Sequence, residues 1–319
     1  MFPFPIPHSP FPIVLLLAVL LDLALGDPPN RFHPVAWMGS LIAAGARRAP
    51  RSPRLALAWG AALICGGVVA MVALGMAMQW GLSTVPLVVA WCLEAAVLST
   101  LFSIRGLVRA AHSVRDALAR DDLDAARALV GRHLVSRNVS RLDGHNVAAA
   151  AIESVAENAS DSVIAPLLYY VLAGLPGVLA YRFVNTADAM LGYHSERYEW
   201  LGKTAARLDD VLNFVPARFT ALLILMAAPF VGGSTMRGWA VWRADARLTP
   251  SPNAGHPMSA ASGALGIELE KFGCYRLGPG QRAANWRDID RMTSLFYATV
   301  MLGVASLSML AILARDYDA

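Results

Sequence analysis

The chain has 319 residues, of which 56% are hydrophobic and 16% charged, and its formal net charge is +4. Soluble domains carry about 25% charged residues, so this composition excludes an ordinary water-soluble domain and indicates a protein that has lipid as its solvent. The excess of arginine is typical of loops on the cytoplasmic side of a membrane. Because aromatic residues are not interleaved with these arginines, we expect no nucleic-acid partner.

Apolar stretches that can enter a membrane recur along the chain. Residues 55–78 and 293–314 are long enough to span it and contain no charged residue. Four other stretches are shorter or are interrupted by a charge, a proline or a glycine: 11–26, 85–104, 163–181 and 211–232. The sequence therefore predicts an all-α, polytopic helical membrane protein with five or six membrane elements, some of them broken or re-entrant, plus cytoplasmic helical loops.

Polar and basic segments separate the apolar ones. Residues 105–134 have the apolar spacing of a helical hairpin, with an acidic turn at residues 121–124. We expect one integral membrane domain over residues 1–319, with extramembrane helical segments at 105–161, 183–213 and 234–291.

The loop at residues 47–54 is rich in arginine, which predicts that it lies on the cytoplasmic side. Two further spans then return residues 105–161 to that side. If residues 163–181 cross the membrane, residues 185–213 lie outside, whereas a re-entrant hairpin that turns at residues 174–177 keeps them inside. Irregular backbone is tolerated at membrane depth where it lines a protein cavity. We therefore favour broken or re-entrant elements around a cytoplasm-facing site.

The first candidate site follows the first apolar segment, where Asp27 precedes two prolines and then His33. Proline stops a helix, so Asp27 lies at a membrane boundary beside backbone groups that have no helical partners. The same spacing also suits an ordinary helix exit with one solvated aspartate. On spacing alone, this second interpretation is favoured.

The second candidate is an acidic stripe. Read as a helix, five polar residues fall within an arc of about 100°: Asn146, Glu153, Glu157, Ser160 and Asp161. Carboxylates this close repel one another unless a cation, a metal or a charged substrate lies between them. Together with Asn158 beside them, they suit magnesium, which prefers oxygen ligands. The alternative is a solvated amphipathic face, and it is weakened because Lys and Arg are absent at the positions that would compensate the charge.

The third candidate combines acids, amides and bases between two apolar segments. Carboxylate and amide side chains suit a metal, and lysine and arginine suit phosphates. The group therefore indicates a nucleotide–metal site, whereas His194 within it is more simply a surface histidine. The residues are Asn185, Asp188, Lys203, Arg207, Asp209, Asp210 and Asn213.

The fourth candidate is the turn that contains Asn253 and Gly255, followed by a run of small residues at 260–266. Small residues let backbone amides approach an anionic ligand closely. The alternative is tight helix packing through the same residues. A Walker-type phosphate loop is not present in the sequence, so any nucleotide is held in another way.

Taken in chain order, these blocks resemble the adenosylcobinamide-phosphate synthase family, which are membrane proteins of the late cobalamin pathway. The resemblance runs from about Leu16 to about Tyr275 and departs from the family pattern at Ser162, where glycine is expected. It rests on these matches: Asp27-Pro28…His33-Pro34-Val35, Glu153…Glu157-Asn158…Ser160-Asp161, Tyr181-Arg182…Asn185-Thr186…Asp188, Arg207…Asp209-Asp210…Asn213…Pro216-Ala217-Arg218 and Ser251-Pro252-Asn253-Ala254-Gly255.

The resemblance implies ATP-dependent amide ligation of adenosylcobyric acid with (R)-1-aminopropan-2-ol or its O-phosphate, with Mg²⁺ as the metal. It implies Asp209, Asp210 and Lys203 as catalytic residues. The implied metal ligands are Glu153, Glu157, Asp161 and Asp188. The residues implied to bind nucleotide or substrate are Asp27, His33, Asn158, Asn185, Arg207, Asn213, Arg218, Asn253 and Gly255.

The same resemblance implies a multi-pass protein of the bacterial cytoplasmic (inner) membrane, with its active site facing the cytoplasm. Expected partners are the two substrates, the lipid bilayer, and either a second copy of the chain or other enzymes of the pathway.

Two other classes of protein fit the same residues. A corrinoid transporter or sensor would use the intramembrane carboxylates Asp22 and Glu94 in an ion or proton path. A magnesium-dependent membrane prenyltransferase would bind a diphosphate through acidic residues on helices. Formation of product in detergent separates an enzyme from a transporter, and a requirement for ATP separates the two enzymes.

Overall fold

The computed structural model of the chain describes residues 11–135, 139–192 and 198–318. These residues form thirteen α-helices, and the sequence predicts most of them because the apolar stretches and turn residues alternate as they do in helical proteins. The helices are α1 Phe11–Leu25, α2 Pro34–Arg47, α3 Pro53–Leu82, α4 Leu87–Ser99, α5 Arg105–Ala119, α6 Leu123–His133, α7 Gly144–Asn158, α8 Ala165–Leu191, α9 Lys203–Leu212, α10 Phe214–Ala227, α11 Thr235–Asp245, α12 Gly255–Leu265 and α13 Trp286–Asp318.

Four stretches of helix among the described residues are long and apolar enough to cross a membrane, and α1 and α4 are shorter apolar helices. The four are Pro53–Leu82, Gly144–Leu191, Phe214–Val231 and Trp286–Leu313. This set confirms the all-α polytopic class. It also assigns α7, which the sequence placed in an extramembrane segment, to the same long apolar stretch as α8.

The chain divides into two compact units, each built from separate parts of the sequence. The first contains residues up to 103, residues 165–212 and residues from 306 onward, and the second contains residues 104–164 and 213–305. The single domain expected from the sequence stays a prediction.

In the first unit, α8 reverses its direction at Ala173 and Gly174, where the backbone leaves the helical region. The rings of Tyr169 and Tyr181 stack with their centroids 5.0 Å apart. In a straight helix these two residues would be about 18 Å apart along the axis, so the chain must fold back between them. Gly174 has φ 63° and ψ −152°, a conformation that is essentially restricted to glycine. This reversal confirms the turn predicted near residues 174–177, whereas the re-entrant position of the hairpin in a membrane stays a prediction.

The second arm of this hairpin packs antiparallel against α3 through three glycines of α3. A Cβ at Gly60, Gly67 or Gly75 would collide with Leu201 O, the Phe183 ring or the backbone of Pro176, respectively. Leu201 therefore meets α3 near its start, Phe183 meets it further along, and Pro176 meets it near its end. As a result, Leu201 lies at the same end of α3 as the arginine-rich loop at residues 47–54.

In the second unit, α5 and α6 form the predicted hairpin, and Asp122 caps α6 by accepting a hydrogen bond from the Ala125 amide at 3.0 Å. α12 packs on α11 so closely that a Cβ at Gly263 would lie 2.7 Å from Arg237 O. The small residues at 260–266 therefore serve helix packing, and their expected role as an anion cradle is wrong for this reason.

Two features of the second unit were not predicted. Three short strands, β1 Ile267–Lys271, β2 Tyr275–Leu277 and β3 Arg282–Ala283, form a sheet of order β2-β1-β3 inside a segment expected to be helical. β1 pairs antiparallel with β2 and parallel with β3. In addition, the helix expected to extend to residue 161 ends as an α-helix at Asn158 and continues as a π-helix over Ala159–Ile164.

Candidate functional site

Asp27, just beyond α1, is held by side chains from other parts of the first unit. Ser103 Oγ donates a hydrogen bond to Asp27 Oδ2 at 2.8 Å, and His33 Nε2 lies 3.7 Å from Asp27 Oδ1. His33 Nδ1 accepts from the amide of Val35 at 3.3 Å and so caps α2, which leaves its Nε2 facing the carboxylate. Asp27 is thus solvent-exposed, as a helix exit would be, and is in addition bonded to Ser103 from a distant part of the sequence.

The pKa of Asp27 lies below its ordinary value. The main cause is the His33 side chain, while burial acts in the opposite direction and the Ser103 hydroxyl and the charge of Arg182 lower it further. The side chain of Asp27 is nevertheless 34% exposed. The carboxylate therefore stays ionised at neutral pH and is accessible to a ligand.

Arg182 connects Asp27 with polar side chains on α8 and α9. Its Nη1 donates to Asn185 Oδ1 at 3.1 Å, and Asn185 Nδ2 donates to Asp209 Oδ1 at 3.2 Å. An amide carries both a donor and an acceptor, so Asn185 links a guanidinium to a carboxylate. We call this set the first-unit network: Asp27, His33, Ser103, Arg182, Asn185 and Asp209.

The rest of α9 presents opposite charges beside this network. Lys203 and Arg207 are exposed, and Lys203 Nζ lies 4.6 Å from the centroid of the Trp200 ring. Asp210 is half-buried, and burial raises its pKa while Arg207 acts against the rise. The two exposed cations can bind an anion, and the carboxyl with the raised pKa can accept a proton. All three groups belong to α9.

Asp188 lies at the end of α8, where the chain packs against itself. A Cβ at Gly192 would collide with Asp188 Oδ1, and a Cβ at Gly202 would collide with Leu191 O. Glycine at 192 allows the backbone to approach the Asp188 carboxylate, and glycine at 202 allows it to approach the last residue of α8. His194, which the sequence analysis interpreted as a surface residue, lies outside the described residues.

The acidic stripe of the second unit is divided between two kinds of helix. Glu153, 4% exposed, and Glu157, half-buried, lie one turn apart on α7, whereas Asp161 is half-buried in the π-helix. A fully solvated amphipathic face is excluded because Glu153 is buried. A π-helix has more residues per turn, so Ser160 and Asp161 do not keep the angular positions that 100° per residue predicts.

The amides predicted near the stripe bond within their own helix. Asn146 Nδ2 donates to Asp143 Oδ1 at 2.8 Å, at the capped start of α7. Asn158 Nδ2 donates to Ser154 O at 2.9 Å, and Asn158 Oδ1 accepts from Ser162 Oγ at 2.7 Å. The membership of Asn146 in the stripe and the ligand contact of Asn158 stay predictions, while the Asn146 side chain also completes the cap of α7.

Within the described part of the chain, no three His, Cys, Asp or Glu side chains lie close enough together to hold a metal ion. The four predicted carboxylate ligands thus do not form a preassembled metal cage. Magnesium usually takes one or two carboxylates and completes its shell with water and phosphate oxygens. The acidic residues therefore fit a magnesium ion that is bound together with a nucleotide.

Arg218 and Asn253 contact each other in the second unit. Arg218 Nη1 donates to Asn253 Oδ1 at 3.1 Å and to Phe214 O at 2.7 Å. Asn253 is 4% exposed, and a Cβ at Gly255 would collide with Ala246 O, so this turn is a tightly packed corner that orients the guanidinium. Asn213, 1% exposed, is the residue between the end of α9 at Leu212 and the start of α10 at Phe214.

His256, next in sequence to the Asn253–Gly255 turn, was not predicted as a site residue. Its Nδ1 accepts a hydrogen bond from Trp242 Nε1 at 2.8 Å. Burial, followed by the charges of Arg218 and Arg247, lowers the pKa of His256 to about 4. The imidazole is therefore neutral at physiological pH and, with Nδ1 acting as an acceptor, carries its hydrogen on Nε2.

Sequence reasoning also assigned no role to Arg182 or Ser103. Arg182 had a detectable signal, because an arginine within an apolar segment is costly and marks a functional or paired position. Ser103 had none, since it reaches Asp27 from 76 residues away in the sequence.

The fold and the first-unit network define a class of protein: a polytopic α-helical membrane protein that gathers acidic, amide and basic side chains beside a helical hairpin. Comparison with known proteins then identifies the family. The family model described as CobD/Cbib protein matches residues 15–301, and the chain belongs to this family. The resemblance inferred from the motif blocks is thereby confirmed.

Individual relatives match over most of their length. The chain is 41% identical over 275 residues to the cobalamin biosynthesis protein CobD of Dehalococcoides mccartyi, which covers 83% of this chain and 86% of that relative. It is 38% identical over 308 residues to the cobalamin biosynthesis protein CobD of Brucella anthropi, which covers 91% of this chain and 94% of that relative. No solved structure matches the chain.

Proposed function

We propose that this protein is an ATP-dependent amide ligase of cobalamin biosynthesis. It joins adenosylcobyric acid to (R)-1-aminopropan-2-ol or its O-phosphate and gives adenosylcobinamide or its phosphate. Family membership and the names of the relatives support the pathway. The first-unit network carries the proposal for the reaction, because it joins residues of three motif blocks that are far apart in sequence. Such a reaction depends on side chains held in fixed positions.

The reaction must activate a carboxylate, since a carboxylate does not react with an amine at neutral pH. In the proposed route, the γ-phosphoryl group of ATP moves to a carboxylate oxygen of the corrinoid, which gives an acyl phosphate and ADP. The amine nitrogen then attacks the acyl carbon. The C–N bond forms, the C–O bond to phosphate breaks, and inorganic phosphate and a proton leave. Catalysis of this kind is chiefly positioning and neutralisation of phosphate charge.

Asp210 suits the role of the base better than Asp209. The hydrogen bond from Asn185 Nδ2 fixes the direction of the Asp209 carboxylate. Burial raises the pKa of Asp210, and a base works best when its pKa is close to the working pH. Asp210 would take the proton of the ammonium group, so that the nitrogen lone pair can attack, while Asp209 orients Asn185.

The exposed cations suit the phosphate groups of the substrates. Lys203 and Arg207 extend from α9 beside Asp210, and Arg207 has the planar fork that matches a phosphate. Arg218, which Asn253 orients, is the candidate for the phosphate of the amine. Magnesium, when bound, would screen the charge of the nucleotide phosphates, with one or two carboxylate ligands drawn from Glu153, Glu157, Asp161 and Asp188.

The active site is proposed to face the cytoplasm of the bacterial inner membrane, where ATP is found. Two observations support this orientation. The hairpin of α8 returns the chain to the end of α3 from which it came, and the arginine-rich loop at residues 47–54 lies at that same end. Arginine-rich loops of membrane proteins are retained on the cytoplasmic side.

The test is a reaction with the purified protein in detergent. Adenosylcobyric acid, ATP, magnesium chloride and either aminopropanol or its phosphate are mixed, and the product is identified by mass spectrometry. The proposal is supported if product forms only with ATP and is accompanied by ADP and phosphate. If AMP and diphosphate form instead, the activated intermediate is an acyl adenylate and not an acyl phosphate.

Two results would overturn the ligase. One is the absence of product with both amines, combined with uptake of the corrinoid into proteoliposomes, which would identify a transporter. The other is product formation that requires a prenyl diphosphate.

A further inference from the structure

Three helices of the second unit bring one end each to a common corner. Thr235, the first residue of α11, donates from Oγ1 to Leu225 O near the end of α10 at 2.8 Å, so α11 runs back beside α10. Near the other end of α11, Trp242 Nε1 donates to His256 Nδ1, which belongs to the first turn of α12. The end of α11 therefore lies beside the start of α12 and at the same end of the unit as the start of α10.

Arg247 follows the last residue of α11 by two positions, in a segment that packs on this corner. A Cβ at Gly255, the first residue of α12, would lie 2.2 Å from Ala246 O and 2.7 Å from Thr249 Oγ1. The chain on both sides of Arg247 thus touches the start of α12. Backbone packing therefore holds Arg247 at the corner, although its own side chain is exposed.

Arg218 reaches the same corner from the first turns of α10. Its Nη1 donates at 3.1 Å to Asn253 Oδ1, and Asn253 precedes α12 by two residues. The charges of Arg218 and Arg247 both act on the pKa of His256, and the charge of Arg247 also acts on Arg218. Two guanidinium groups from different segments are therefore near one imidazole and near each other.

This pair of cations has no acidic partner in the part of the chain that the structure describes. Arg218 donates to two neutral acceptors, Phe214 O and Asn253 Oδ1. Arg247 is exposed and forms no hydrogen bond or ion pair with any described residue. His256 adds no charge, since its lowered pKa keeps it neutral at physiological pH. Like charges repel one another, so an anion between the two guanidinium groups would stabilise the corner.

A phosphate group suits this pair better than a carboxylate does. A phosphate monoester carries close to two negative charges at neutral pH and offers three terminal oxygens. A carboxylate carries one charge and offers two oxygens, which a single guanidinium already matches. Because each guanidinium is a rigid planar fork, two forks on different segments can hold one phosphate between them.

We propose that Arg218 and Arg247 together form one phosphate-binding site at the corner where α10 and α12 begin. The phosphate belongs either to the O-phosphate of the substrate amine or to the headgroup of an anionic lipid. The lipid is a second source because Arg218 lies one turn inside a candidate membrane span and the apolar side chains of Phe214 and Leu248 beside the pair are exposed. The amine phosphate as ligand rests on the proposed function, whereas the site itself rests on the two arginines.

The experiment measures binding to the full-length protein in detergent, without ATP or corrinoid, so that ligase activity is not needed. Inorganic phosphate, aminopropanol O-phosphate and aminopropanol are titrated by calorimetry, and native mass spectrometry counts the phosphatidylglycerol molecules that the protein retains. The variants are R247Q and R218K, of which R218K keeps the charge and loses the fork. R243Q is the matched control, because Arg243 is an exposed arginine of the last turn of α11 whose charge is not among those that act on His256.

We expect R247Q to weaken binding of the phosphate-bearing ligand by roughly 10–100-fold, as the loss of a charged hydrogen-bond partner does, while R243Q leaves binding unchanged. The effects of R218K and R247Q should not be additive, since both side chains contact the same phosphate. If the phosphate belongs to the amine, aminopropanol O-phosphate is affected and aminopropanol is not. If it belongs to a lipid, R247Q retains one phosphatidylglycerol fewer than R243Q.

Equal binding of every probe by R247Q and R243Q would overturn the site. Equal weakening by R247Q and R243Q would overturn it too, because the effect would then come from the general surface charge. A protein that forms no amide product, but loses binding of phosphate or phosphatidylglycerol in R247Q, would still support the site. The site and the ligase can therefore fail separately.

Discussion

The first-unit network and the amides of the acidic stripe form hydrogen bonds over different distances. In the first unit, Asp27 is bonded by Ser103, and Asn185 joins α8 to Asp209 on α9. Along the stripe of the second unit, Asn146 and Asn158 bond within one turn of their own helix. Local bonds of the second kind cap and continue helices, whereas bonds between distant segments fix side chains of different helices relative to one another. Chemistry that needs several groups at once is therefore expected first at the first-unit network and not along the stripe.

The largest effect that this comparison predicts is loss of activity on replacing Asp210 by asparagine. Removal of a general base lowers kcat by about 10²–10⁴-fold, and the loss should shrink as the pH rises and more of the free amine forms without help. Rates of amide formation are measured between about pH 6 and about pH 9. D116N, which removes an exposed carboxylate of the second unit, is the control. Equal activity of D210N and the unchanged protein would contradict the assignment.

The second prediction concerns the metal and tests the acidic stripe of the second unit. Replacing Glu157 by alanine should raise the magnesium concentration needed for half-maximal activity by roughly 10–100-fold, the range known when a metal site loses a supporting group. Activity is titrated with magnesium at saturating ATP, with D116N as the control because Asp116 is an exposed carboxylate that pairs with Arg115. If E157A leaves the titration where D116N leaves it, the metal ligands lie elsewhere.

The third prediction tests the hairpin on which the first unit depends. G174A places a Cβ in a backbone conformation that only glycine adopts readily, so the free energy of unfolding should fall by about 1–3 kcal/mol. Thermal unfolding in detergent measures the change. G81A is the matched control, since a Cβ at Gly81 in α3 meets no described atom within 4 Å. Equal stability of the two variants would mean that the reversal at residue 174 is not maintained.

The fourth prediction is smaller and links the hairpin to α9. Tyr169 Oη donates a hydrogen bond to Leu212 O at 2.9 Å, so Y169F should lower the free energy of unfolding by about 1 kcal/mol. The ring stack with Tyr181 remains in this variant. If the KM for the amine rises in Y169F while kcat stays constant, the bond also positions the end of α9 for binding of the amine. No change in either stability or kinetics would show that the bond carries neither role.

The smallest predicted effect is a dependence of stability on pH in the second unit. The pKa of His256 is about 4 in the folded protein, below the ordinary value of 6.5. Between these two pH values, the unfolded chain binds a proton that the folded chain does not bind. Stability should therefore fall as the pH is lowered from about 6.5 to about 4, and H256Q should reduce this fall. Melting temperatures across this range are compared with those of H133Q, which alters an exposed histidine. An identical pH profile for H256Q would contradict the assignment.

Much of the fold could be predicted because it follows from local chemistry. The long uncharged stretches predicted membrane helices where α3 and α13 lie, and the Gly-Leu-Pro-Gly run at residues 174–177 predicted the reversal of α8. The π-helix at Ala159–Ile164 was not predictable, since it changes the hydrogen-bond pattern without a distinctive residue. The small sheet was missed because strands of two to five residues leave almost no alternating pattern.

The candidate site was predictable only in part. Asp27, Asn185 and Asp209 were named from their blocks, but their partners were not, because Ser103 and Arg182 come close to them only after folding. The bond from Asn146 to the cap residue Asp143 was not predicted, because helical spacing alone does not separate a cap from a ligand. Residue type and spacing thus indicate which kinds of chemical group the site contains, and the tertiary contacts determine which residues lie together in it.

The reversal at Gly174 also has a consequence for the order in which the protein assembles in the membrane. The first arm of the hairpin, residues 165–173, continues without a break from α7 and the π-helix, as part of the apolar helical stretch that begins at Gly144. The turn at its end cannot be stable in lipid by itself, because the backbone groups freed there need protein partners. The glycines of α3 supply the surface on which the second arm packs. α3 must therefore be in place before the hairpin settles, so an early span acts as the template for a later one.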